Sequence, residues 1–151
     1  MAHVRKTIEV DRPVSTVYNQ WTQFEEFPQF MEGVEQVTQL DDTRLHWVAK
    51  IGPATREWNA EIVRQVPDQG VAWRNTDGAD NAGAVTFRPV ATDRTEVTLE
   101  LEFAPEGAAE KIADSLGLVE KRAEGDLERF KDFIEGRGQE TGAWRGQVHN
   151  N

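Results

Sequence analysis

The sequence predicts an α+β protein in which a seven-stranded antiparallel, curved sheet wraps around one long C-terminal helix, with two short helices between the first and second strands. Three observations predict it. Six segments between Gly33 and Phe103 alternate apolar and polar residues with a period of two. Residues 106–136 instead place apolar side chains three and four apart, the period of a helix. The last strand segment, 95–103, sets Val97, Leu99, Leu101 and Phe103 on one face and Thr98, Glu100 and Glu102 on the other, as expected of a sheet covered on one side only.

In chain order, "HVRKTIEV" (3–10) forms the first strand, with Val4, Ile8 and Val10 as its apolar members. Asp11 is placed to cap the helix that follows, and Pro13 suits its first turn, where a missing N–H costs nothing. Val14, Val17, Tyr18 and Trp21 then make one buried stripe. Phe24, Phe27 and Phe30 continue the aromatic content, but Pro28 disfavours helical geometry at Phe27, so the segment divides into two short helices with the break at the proline. Strands are expected over 34–40, 43–51, 55–66, 70–75, 83–90 and 95–103. Turn signals separate them at Asp41-Asp42, Gly52-Pro53, Pro67-Asp68, Gly78 to Asn81 and Thr92-Asp93.

The helical stripe runs through Ala109, Ile112, Leu116, Val119, Ala123, Leu127, Phe130 and Ile134, and its charged residues read as a solvated face with pairs such as Glu128–Lys131. Residues 1–136 form one domain. Residues 137–151 are polar and without period, so a mobile tail is expected. Trp144 within it raises the alternative of a docking element for a partner or a second copy, and hence of a homo-oligomer. A sheet of seven antiparallel strands twists and curls, and a helix laid in its concave side closes it imperfectly, leaving a cavity.

Composition narrows function. At 151 residues with a formal net charge of −10 and no Lys/Arg run, the chain repels nucleic-acid backbones and anionic membranes on average. The absence of Cys removes disulfides, thiolate metal sites and thiol catalysis. No apolar run is long enough to span a bilayer and the N-terminus has no apolar leader, so a cytoplasmic protein without integral membrane association is expected. His3, His46 and His149 lack metal-ligand spacing, and no phosphate loop, nucleophile elbow or H-E-x-x-H appears, so neither metal nor cofactor is expected. His46 flanks Trp47 and should face outward if Trp47 faces in.

Trp47, Trp58 and Trp73 lie mid-strand and Phe87 on the strand after them, and inward projection would make an aromatic wall opposite Ile112, Leu116 and Val119 on the helix. A filled core and a ligand cavity are both consistent with that wall. Arg56, Asn59, Glu61 and Asn75 are the nearest polar anchors, although alternation turns most of them outward.

The element order and the phrases "VDRPVSTVYNQWTQFEEFPQFMEGVEQV", "WRNTDG", "GAVTFRPV", "EVTLELEFAPEG" and "DLERFKDFIEGRG" resemble the START-like helix-grip superfamily (SRPBCC), in its polyketide cyclase/dehydrase branch. The resemblance implies an apolar cavity between sheet and helix, with Phe27 and Phe30 on one rim. The expected ligand-contacting residues are then Phe27, Phe30, Trp47, Trp58, Trp73 and Phe87, joined by Val34, Ile112 and Leu116. Cyclising members of the branch carry a Tyr early in the strand after the short-helix proline and an Arg immediately before "VPD". Here those places hold Val34 and Gln65, neither an acid, a base nor a cationic clamp. Arg64 is adjacent, but one position along a strand means the opposite face.

The expectation is therefore binding or carriage of a small hydrophobic molecule (lipid, quinone or polyketide-like) with no catalytic residue assigned. The alternatives are a cyclase/dehydrase-type enzyme and a structural or stress-related interaction protein.

Overall fold

The computed structural model describes residues 2–31, 33–51, 54–76, 81–103, 109–137, 139–146 and 148–149; for some of these, residues 109–119 among them, it describes the backbone course alone. The strands are β1 (Ala2–Val10), β2 (Val34–Gln39), β3 (Arg44–Ile51), β4 (Ala54–Val66), β5 (Gly70–Asn75), β6 (Asn81–Ala91), β7 (Arg94–Phe103) and β8 (Val148–His149). The helices are α1 (Val14–Trp21) and α2 (Ala109–Arg137), with a 3₁₀ helix over Phe24–Gln29.

The sheet order is β1-β7-β6-β5-β4-β3-β2, antiparallel throughout. Strands β2 to β7 form a meander, and β1 closes the far side by pairing with β7, Val4 opposite Leu101 and Ile8 opposite Val97. Alternation then assigns the faces. Leu45, Trp47, Ala60, Ile62, Val71, Val85, Phe87, Val97 and Leu99 are buried on the inner side. Ala123, Leu127, Phe130 and Ile134 of α2 are buried with them, and this half of the helical stripe is as the sequence predicts. Ala109, Ile112, Leu116 and Val119 have side chains outside the described residues. This is the α+β helix-grip architecture expected from the sequence.

Three local expectations need correction. Pro13 is itself the N-cap of α1, with extended backbone (ψ 152°) and no side-chain cap; Asp11 instead accepts from Arg94 Nε at 3.1 Å. The break between the two short helices falls at Thr22 and Gln23, and Pro28 lies inside the 3₁₀ helix. Pro28 is the fifth of its six residues, so the ring removes at most one N–H bond near the helix end. Lys131 pairs with Glu135, at 2.6 Å, rather than with Glu128.

Glu135 also accepts from the backbone N–H of Asp11 at 2.8 Å, fastening the end of α2 to the corner between β1 and α1. Burial pushes its carboxyl up, but the Asp11 N–H and the Lys131 ammonium outweigh burial and hold it below the usual carboxylate range. A lowered folded-state value means that the stabilisation is present above the unfolded value, about 4.3 for Glu, and is lost as pH falls through the folded value. Glu135→Gln is expected to cost about 1 kcal/mol at pH 7. The difference from wild type should shrink in urea titrations repeated at about pH 3, below the reference value; a constant difference would show that the carboxylate's charge is not what holds the corner.

Candidate functional site

Trp47 and Trp58 face each other across the β3–β4 ladder. Because they are direct cross-strand partners on the inner face, their rings stack, with centroids 6.0 Å apart and planes 5° from parallel. Trp73 on β5 stands opposite Gly83 on β6. A Cβ at Gly83 would lie 2.5 Å from Trp73 Cζ2, so glycine is what lets the indole lie flat across β6. With Met31, Leu99 and Leu101, and with Ala123 from α2, the three tryptophans line a hollow of about 310 Å³. Asn75, Ala82, Glu102, Arg122 and Asp126 complete the lining.

The residues expected at the site divide into groups. Trp47, Trp58 and Trp73 come together in the hollow. Phe27 and Phe30 are each only 2% exposed and belong to a packed aromatic cluster. Phe27 meets Trp21 at 5.3 Å and Trp47 at 5.7 Å, and Phe30 meets Phe130 at 5.2 Å. They plug the bowl beside the hollow. Phe87 is buried under α1, edge-on to Tyr18 at 5.7 Å, and Val34 packs half-buried at the β2 bulge, opposite Ala49. Ile112 and Leu116 have side chains outside the described residues. Of the polar candidates, Asn75 reaches the hollow. Arg56 is exposed, Glu61 lies 3.7 Å from Arg74, and Asn59 bonds His46 Nδ1 at 2.8 Å. His46 Nε2 contacts Glu57 at 3.0 Å, which places the imidazole on the outer face as alternation requires.

Sequence reasoning missed Met31, Leu99, Leu101, Arg122, Ala123 and Asp126 as lining residues. Leu99, Leu101 and Ala123 lie on the predicted inner stripes, but the pattern does not say at what height along the strands and helix the hollow falls. Arg122 and Asp126 flank that stripe, and the pattern alone places them on the solvated face. Asp126 is engaged by Arg129 Nη2, while Arg129 Nε donates to the Phe30 carbonyl at 2.9 Å.

A second polar group lies away from the hollow. The β4 ladder shifts register between Ile62 and Arg64, so both Ile62 and Gln65 are buried while Arg64 is exposed. Gln65, immediately before Val66-Pro67-Asp68, thus points inward. Burial pushes the Tyr18 hydroxyl's pKa up, partly offset by Gln65 beside it and by Arg145. Neither the hydroxyl nor the Gln65 amide reaches good hydrogen-bond geometry with a partner among the described residues. Arg145 stacks over the Tyr18 ring at 5.6 Å and pairs with Asp68 at 2.7 Å. None of these groups lines the hollow.

A larger depression, about 510 Å³, opens on the outer face above Ala72, Ala82 and Ala84. Arg64 and Arg74 flank it on one side and Glu100 and Glu102 on the other. Its charged rim surrounds a floor of mostly apolar residues, and it lies on the outer face of the sheet, away from the core that α2 covers. Among the described residues no three His, Asp or Glu side chains converge as metal ligands, and no helix is long and apolar enough to cross a membrane.

Comparison with known proteins agrees with this architecture. The chain is 53% identical over 149 residues, 98% of its length and 99% of the relative's, to an uncharacterized 17.2 kDa protein of the melC2–rnhH intergenic region of Streptomyces lincolnensis. The crystal structure of DR_A0006 from Deinococcus radiodurans superposes with a TM-score of 0.70 at 27% identity, covering 91% of this chain and 99% of that one. The Zhui aromatase/cyclase of Streptomyces sp. R1128 gives 0.77 at 16% identity over 95% and 99%, a likeness of fold. A START superfamily protein from Mycobacterium smegmatis gives 0.68 at 18% identity over 89% and 95%. Residues 10–132 match the model of the family described as polyketide cyclase/dehydrase and lipid transport, and the chain belongs to that family.

Proposed function

We infer that the protein binds a small, largely apolar molecule of lipid, quinone or polyketide-like character in the hollow between α2 and the sheet. One observation carries the reading: three tryptophans from adjacent strands line an inner hollow of about 310 Å³ that the core side chains leave unfilled. That volume is at the lower end of the roughly 300–1,000 Å³ of small-molecule sites. Binding then draws on burial of apolar surface, worth about 25 cal/mol per Å² before the cost of association.

The test is titration with the neutral fluorophore N-phenyl-1-naphthylamine, followed by displacement with fatty acids, quinones and aromatic polyketides. Leu101→Trp should fill the hollow from β7 and weaken fluorophore binding at least about tenfold, or about 1.4 kcal/mol. Saturable binding that Leu101→Trp leaves intact would place the ligand elsewhere. No binding of any class would favour an interaction protein whose cavity is incidental.

A cyclase/dehydrase activity is the second reading, favoured by the family and by the likeness to the Zhui aromatase/cyclase. The hollow would orient a poly-β-ketone for closure by holding it near a reactive geometry. Against it, Val34 and Gln65 supply no acid, base or cation, and neither lines the hollow. Cyclised product from a poly-β-ketone thioester, formed faster than in buffer, would establish it.

A further inference from the structure

We propose that the ligand of the tryptophan-lined hollow is an organic anion, an apolar body bearing a carboxylate or similarly acidic group, with Arg122 of α2 as its counter-charge at the mouth. This rests on the hollow being the binding site. Arg122 is the only cation among the described lining residues. Its guanidinium reaches across the mouth to the chain entering β2: a Cβ at Gly33 would lie 3.3 Å from Arg122 Nη1 and 3.0 Å from the Lys50 carbonyl. Gly33 has φ +85°, a left-handed conformation that glycine adopts without strain, and its missing side chain leaves the guanidinium that space.

The other charges of the lining are accounted for. Asp126 is bonded by Arg129, which removes it as a partner for a bound cation. Glu102 borders both the hollow and the outer depression, and because it alternates with the inward Leu101 its side chain projects toward the outer face, beside Glu100. Arg122 has no ion pair or hydrogen bond within the chain among the described residues. A cation-binding cage would need tryptophan faces set around a point. Trp47 and Trp58 are instead stacked, 5° from parallel, with faces turned toward each other and not around a common point. The arrangement is an apolar slot with one uncompensated donor fork at its entrance, and a fork of that geometry matches a carboxylate or sulfonate.

Three probes sharing a naphthyl body separate the outcomes: neutral N-phenyl-1-naphthylamine, the sulfonate 8-anilinonaphthalene-1-sulfonate and a naphthyl-trimethylammonium. The sulfonate is expected to bind more tightly than the neutral probe. Arg122→Gln should weaken the sulfonate about five- to tenfold and leave the neutral probe within about twofold, in line with one charge-assisted contact. Lys121→Gln removes the same charge from an exposed neighbour outside the lining, and should change neither. The sulfonate preference should also shrink as salt is raised, since the mouth is solvated.

Equal binding of neutral and sulfonate probes, equal losses for Arg122→Gln and Lys121→Gln, or tightest binding of the ammonium would each overturn the inference while leaving the hollow as a binding site. Failure of all three probes to bind would overturn both.

Discussion

Phe30→Ala is expected to lower the free energy of unfolding by about 3–5 kcal/mol, the range for truncating a fully packed aromatic ring. The ring is 2% exposed. It is held by four others from three segments: Trp21 at 6.0 Å, Phe27 at 5.6 Å, Phe130 at 5.2 Å and Phe133 at 5.5 Å. Its backbone is fixed as well, because Arg129 donates to the Phe30 carbonyl. Neighbours so constrained cannot collapse into the space left behind, so the cavity cost adds to the lost burial. Phe30→Leu keeps most of the volume and should cost about 1 kcal/mol. Urea denaturation with an unchanged slope checks both. Affinity for N-phenyl-1-naphthylamine in the Leu variant should be that of wild type, because Phe30 does not line the hollow. A loss under about 1 kcal/mol for the Ala variant would mean that the ring borders open space rather than packing.

The aromatic cluster marks where the sequence was legible and where it was not. Period-two alternation fixes which side of each strand faces in, so the inward projection of Trp47, Trp58 and Trp73 could be read directly. It does not fix how far along the strand a side chain lies from the helix that covers it. Whether an inward aromatic meets a hollow or a plug depends on that distance. Phe27 and Phe30 have the right chemistry for a rim, but Trp21 and Phe130 pack against them and make them part of the plug.

 Phe130 comes from α2, and a contact between distant segments of that kind leaves no trace in local periodicity. The β4 bulge is a second case. A single shift between Ile62 and Arg64 turns Gln65 inward, which simple alternation counted from Ile62 would not give. Arg122 is a third. It adjoins the apolar stripe through Ala123, and only the position of Gly33 against α2 reveals that its charge sits at the mouth of the hollow.

Deleting residues 138–151, just beyond the end of α2, is expected to cost about 2–4 kcal/mol, from several hydrogen bonds each worth a net 0.5–1.5 kcal/mol and partly overlapping. The tail that the sequence leaves without a period, and for which mobility was expected, has specific partners along its course. Thr141 and Gln20 bond reciprocally, N–H to Oε1 at 2.9 Å and Nε2 to Oγ1 at 3.0 Å. Asn19 donates to Glu140, Trp144 N–H donates to Thr22 Oγ1, and Arg145 donates to both Asn19 and Asp68. Beyond these, β8 pairs with β4 at Arg64 and Gln65, past the point where β3 has ended. The position is open because β4 has 13 residues and β3 only 8. Deletion therefore has a second consequence, since it leaves that part of β4 as an unpaired edge able to accept another strand. Urea denaturation and light scattering over a concentration series read the two effects separately. Lower stability with concentration-dependent association would identify the tail as an internal cover for the edge. Unchanged stability would show that its contacts add nothing to folding, and unchanged association alongside it would rule out Trp144 as a docking element.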